Sequence, residues 1–150
     1  MPTLKNGFSS FLPLLLAGLF VTAQIAPRFA AAADEDTELA KQMEEMDDDL
    51  KKLRKSLKVP AENSASLELL TKLQQVTVSC KALIPAKAAE LPEAEKAKFV
   101  AGYRKDMAVL LTHLCQIETA VIDGDNAKAE ELFKGLKKIE DDGHEKYSDE

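Results

Sequence analysis

Two side chains about a hundred residues apart carry the chemistry this sequence could do. His144 lies in Glu140-Asp141-Asp142-Gly143-His144-Glu145-Lys146-Tyr147, and Met43 lies in Lys41-Gln42-Met43-Glu44-Glu45-Met46. A thioether and an imidazole on opposite sides of a crevice are the axial pair that a six-coordinate haem iron takes, with no position left open for oxygen chemistry. The activity such a pair implies is electron transfer, not catalysis. Alone, neither residue says this: a methionine on a helical stripe is ordinarily core, and a histidine in a last helical turn is ordinarily a partner for the helix dipole. What decides is whether the fold sets them at one height on facing surfaces.

The elements that must position them are helices. Apolar residues Leu39, Met43, Met46, Leu50, Leu53 and Leu57 recur four, three, four, three and four apart, the seam of a helix packed nearly parallel to its neighbours. Acidic residues precede this stripe and Lys51, Lys52, Arg54, Lys55 and Lys58 close it, as the helix dipole favours. The first helix is expected over 35–58, ended by Pro60. A second is expected over 65–84, up to Pro85, with the β-branched run Val76-Thr77-Val78 as its weak point. Pro92 suits the first turn of a third, whose stripe runs Phe99, Tyr103, Met107 or Asp106, Leu110, Leu114, Ile117 and Val121. Asp123-Gly124-Asp125-Asn126 reads as a glycine stop followed at once by a new start. The fourth helix carries Ala129, Leu132, Phe133, Leu136, Ile139, His144 and Tyr147. Short connections make the fold class all-α, an antiparallel up-down-up-down four-helix bundle.

Composition agrees. The chain of 150 residues is 45% hydrophobic, 31% charged and only 5% aromatic, with no Trp, which fits one helical domain. Residues 1–33 read as a secretory signal peptide: Lys5, then an apolar run from Phe11 to Ala23 too short to span a bilayer, then Ala30 to Ala33, with cleavage after Ala32 or Ala33. The domain then covers 34–150 and the destination is an exported compartment. Losing Lys5 and Arg28 and no acid moves the formal net charge from −6 to −8, which argues against nucleic acid and against anionic membrane surfaces.

In such a bundle the start of the first helix and the end of the fourth share one end, so Met43 and His144 agree in height and face. Phe99, Tyr103, Leu83 and Ile84 reach the same end and are candidates to wall a porphyrin. His113 lies roughly 20 Å away along the axis and reads as a partly exposed surface residue. Cys80 and Cys115 fall roughly 25 to 30 Å apart in height, too far for a disulfide, and are expected as buried thiols. Met46 keeps a second reading open, a soft-metal site in which Met43, Met46 and His144 hold Cu(I). A third is a haem-free helical chaperone or structural protein with the methionines as core. No nucleophile, phosphate loop or paired catalytic carboxylate emerges, so an enzyme is not expected.

Three blocks carry a resemblance: Met43-Glu44-Glu45-Met46-Asp47-Asp48-Asp49-Leu50-Lys51, Tyr103-Arg104-Lys105-Asp106-Met107, and His144-Glu145-Lys146-Tyr147. In order and spacing they resemble the soluble periplasmic cytochrome b562 family, across nearly all of 34–150. The resemblance implies one non-covalent b-type haem, its iron held by Met43 and His144, and redox partner proteins that the sequence does not identify. It also marks departures. Met107 stands where the family has a second phenylalanine, Ser148 where an arginine follows Lys-Tyr, and Glu140 where a basic residue is common. The Ser148 change removes a contact to a haem propionate, and Glu140 puts a carboxylate near the haem edge.

Overall fold

The computed structural model describes residues 37–148; the segment expected as a signal peptide, 1–33, lies outside the described residues. Four helices follow in order: α1 Glu38–Ser56, α2 Asn63–Ala82, α3 Glu93–Ile122 and α4 Asn126–Tyr147, with short 3-10 turns at Pro60–Glu62 and Ala86–Glu90. Among the described residues there is no strand, and no helix is long and apolar enough to cross a membrane.

Local chemistry sets each boundary. Thr37 starts α1, its hydroxyl oxygen accepting from the Ala40 amide at 3.1 Å. The 3-10 turn led by Pro60 feeds directly into α2, which therefore begins two residues before the expected start at 65. The same helix stops at Ala82, because Leu83 is already extended (φ −83°, ψ 173°) as the chain approaches Pro85. Between α3 and α4, Gly124 takes φ 73°, a left-handed value that a Cβ would oppose. The Asp125 amide then donates to Ala120 O and the Gly124 amide to Val121 O, closing the helix end, while Asp125 Oδ1 caps α4 by accepting from Lys128 N at 2.9 Å.

The four helices pack in sequence, α1 on α2, α2 on α3 and α3 on α4, while α1 and α4 scarcely approach one another. Three seams are closed and the fourth is open. Leu53, Leu70, Leu73, Leu114, Ile117 and Leu136 fill the closed interior. Asp49 is buried there too, clamped by Lys52 at 2.8 Å on its own helix and by Lys72 of α2 at 2.7 Å. Burial opposes its charge, yet the two ammonium groups outweigh burial and hold its carboxyl below the usual range. α4 buries only Ala129 and Leu136 fully; Leu132, Phe133 and Ile139 remain partly exposed.

At the end where α4 begins, an amide pair ties three helices. Asn126 Nδ2 donates to Leu57 O at 3.0 Å and to Asn63 Oδ1 at 2.8 Å, and Asn63 Nδ2 donates back to Asn126 Oδ1 at 3.2 Å. Asn126→Ala removes all three and leaves the Leu57 carbonyl short of a partner, so we expect a loss of about 2 kcal/mol. Urea unfolding should show a lower midpoint with an unchanged slope.

Candidate functional site

The open seam widens at the other end of the molecule into a crevice of about 570 Å³. α1 supplies Leu39, Ala40, Met43, Met46, Asp47 and Leu50 to its wall; α3 supplies Tyr103, Asp106, Met107 and Leu110; α4 supplies Ile139, Glu140, Gly143, His144, Tyr147 and Ser148. Pro85 and Ala86 reach it from the loop after α2, and Thr37 from the turn before α1. The lining is mostly apolar with a few convergent polar groups, as ligand sites are.

Met43 and His144, about a hundred residues apart in sequence, therefore line one cavity from its two unpacked helices. Met43 is half-buried and His144 is exposed, and among the described residues the His144 ring makes no hydrogen bond. Both donors are uncommitted. His113 differs: its Nε2 lies 2.8 Å from Leu132 O, the ring bound across the α3–α4 seam where Gly135 leaves room for it. A Cβ on Gly135 would come within 3.0 Å of that nitrogen. Among the described residues, no group of three or more His, Cys, Asp or Glu side chains is placed to chelate a bare metal ion. One sulfur and one imidazole suit instead an iron that arrives with four equatorial nitrogens of its own, and the cavity is of a size to admit the flat, apolar macrocycle that carries them.

Three carboxylates line the crevice, and each is already partnered. Asp47 pairs with Lys51 at 2.6 Å, and Glu140 with Lys137 at 3.5 Å. Asp106 accepts from the Tyr147 hydroxyl at 2.8 Å and from Lys146 at 3.1 Å. Burial pushes the Asp106 carboxyl up, but these two donors outweigh it and hold the group below the usual carboxylate range. The turn that carries His144 is thereby fastened to α3. Tyr147 is fixed further by its edge-on contacts with Phe99 and Tyr103, ring centroids 5.2 and 5.3 Å away. Lys87 holds the end of α4 from the loop side by donating to Ser148 O at 3.0 Å.

Of the residues the sequence proposes, Met43, Met46, Tyr103 and His144 come together at the crevice. Phe99 does not line it; its ring stands behind Tyr147. Leu83 and Ile84 do not line it either, because α2 ends too early to aim them inward, and Pro85 and Ala86 take that place. Met107 does line it and is buried; Glu140 and Ser148 line it too, both half-buried. Cys115 corrects an expectation. It is exposed, since it follows the core-facing Leu114 by about 100° of helix rotation, whereas Cys80 is buried and its thiol pushed up by burial to about 11. Sequence reasoning set Asp106 and Tyr147 on helical stripes but gave neither a part in the site. Their signal was available: a carboxylate adjoining an inward stripe needs a donor, and Tyr147 is placed to give one.

A family model described as cytochrome b562 matches residues 38–148. No curated protein matches the chain.

Both tyrosines resist ionisation, Tyr147 pushed up to about 12 by burial first and then by Asp106, and Tyr103 pushed further by burial. The folded value of Tyr147 lies above its unfolded value of ~10, so its neutral form contributes stability that is whole below pH ~10 and lost as pH rises through ~12. In a Tyr103→Phe background, tyrosinate absorbance should follow Tyr147 alone, with a midpoint near 12. Adding Asp106→Asn should bring that midpoint down, because the neighbouring negative charge is gone.

Proposed function

The chain belongs to the cytochrome b562 family, and from that premise we propose that it is an exported electron-transfer protein holding one non-covalent b-type haem between Met43 and His144. The observation that carries this reading is that two uncommitted donors, one soft sulfur and one imidazole nitrogen, line opposite sides of a single crevice. When bound, the haem supplies a one-electron iron couple.

The chain's own residues would set how that couple behaves. Met43 and His144 would hold the iron between them, which would leave no position for oxygen and keep the chemistry to electron transfer. A thioether ligand favours the reduced state and raises the potential. Met46, Met107, Leu110 and Ile139 give the macrocycle apolar walls and exclude water from its faces. Carboxylates at Asp47 and Glu140 act in the opposite sense, favouring the more positive oxidised iron, though Lys51 and Lys137 blunt them. Residues 1–33 carry the export reading to the periplasm, and the partners are redox proteins of that compartment.

Met46 supports a second reading. It lines the same crevice, so Met43, Met46 and His144 together form a soft donor set for Cu(I).

Titration of the ligand-free protein separates the two. One equivalent of haem should give a low-spin six-coordinate spectrum, which Met43→Ala and His144→Ala should each abolish while Met46→Leu preserves it. Saturable uptake of Cu(I), lost with Met46→Leu, together with no low-spin spectrum on adding haem, would transfer the assignment to copper.

A further inference from the structure

The open seam between α1 and α4 does not end at the crevice. It continues into a groove of about 580 Å³ that shares Asp47, Leu50 and Glu140 with it. The two halves differ in charge. No lysine or arginine lines the crevice, where the acids are Asp47, Asp106 and Glu140. In the groove Lys51, Arg54, Lys58, Lys134 and Lys137 face one another over a floor of Leu50, Leu57 and Phe133. This cationic stretch belongs to a chain whose formal net charge is −6.

The charge changes across the boundary. Asp47 of α1 and Glu140 of α4 border both spaces, whereas their partners Lys51 and Lys137 line the groove alone. Beyond them Arg54, Lys58 and Lys134 make no ion pair among the described residues. Glu130 is the one acid that lines the groove alone.

A b-type haem is an apolar plate bearing two carboxylate arms on one edge. The crevice accepts the plate, but it is lined by three carboxylates and by no lysine or arginine, and neither Glu140 nor Ser148 brings a cation. Resting on the haem reading above, we infer that the α1–α4 groove is the anion subsite of the haem site: Lys51, Arg54, Lys134 and Lys137 receive the propionates and fix which edge of the macrocycle enters. Like charges repel at the crevice and opposite charges attract one step along the same seam, so one orientation is favoured over its reverse.

The test compares haem with its dimethyl ester, which keeps the plate and iron but carries no charge on its arms. Arg54→Gln/Lys134→Gln removes two cations without freeing any acid, and Lys98→Gln, an exposed lysine of α3 outside the groove, is the control. The double variant should weaken ferric haem binding about tenfold at low salt, as two exposed ion pairs allow. Binding of the ester should not change, and at high salt the difference for haem should vanish. Adding Lys51→Gln/Lys137→Gln should widen the gap. Equal affinity of wild type and double variant for haem overturns the inference, and so does equal weakening for haem and ester, which would mark a structural role. If wild type itself gives no low-spin complex with either ligand, the haem reading fails, and the subsite fails with it.

Discussion

The structure depends on a seam left unpacked. In a four-helix bundle each helix normally buries its stripe against two neighbours. Here α1 packs on α2 and α4 packs on α3, but α1 and α4 do not close on each other. Met43, Leu39, Phe133 and Ile139 are consequently only partly buried although all lie on the inward stripes. Apolar surface held open to water is a standing cost at ~25 cal/mol per Å². A ligand that fills the gap recovers it, and binding then adds directly to stability, by ~2.7 kcal/mol at a hundredfold excess over its dissociation constant. The protein is thus built so that occupancy of the seam completes the fold.

Charge follows the same seam. The acidic start and basic end of α1 suit its dipole, but α4 runs the other way. Lys134, Lys137 and Lys138 precede Glu140, Asp141, Asp142 and Glu145, which crowd the end where the dipole is already negative. Part of that cost is offset by Lys137 on Asp141 at 2.9 Å and by Lys138 on Asp142 at 2.8 Å, one turn back. Because α1 and α4 are antiparallel, the unfavourable order on α4 is what aligns acid with acid and base with base across the seam. Helix stability alone would not select it. A ligand with one uncharged end and one anionic end would.

Much of this was legible in the sequence. Heptad-like spacing, prolines and the Gly124 turn gave the four helices to within a few residues, because period and breakers are local properties. The common height of Met43 and His144 followed from helix rise and antiparallel order. What the sequence did not carry was the local rotation at helix ends. Where α2 stops decides whether Ile84 or Pro85 reaches the crevice, and that depends on Leu83 turning extended. Phe99 lies one turn before Tyr103 on the same stripe, yet Tyr147 occupies the space between it and the cavity. The anion groove was hidden for a further reason: its lysines are ordinary solvated residues on each helix taken singly, and become a site only when two helices set them face to face.

The two donor helices are each fixed along their length to an inner neighbour, and they are tied to one another at the end away from the crevice, where Asn126 donates to Leu57 O. Asp49–Lys72 fastens α1 to α2, and His113–Leu132 with Tyr147–Asp106 fastens α4 to α3. The distance between Met43 and His144 is therefore set through the tightly packed α2–α3 pair, at the back of the molecule. Closed interiors of this density deform little. On the proposed haem reading, in which Met43 and His144 would serve as ligands in both redox states, a wall spacing imposed from behind keeps rearrangement small. It also leaves the front of the seam free to admit its ligand, which direct packing of α1 on α4 would forbid.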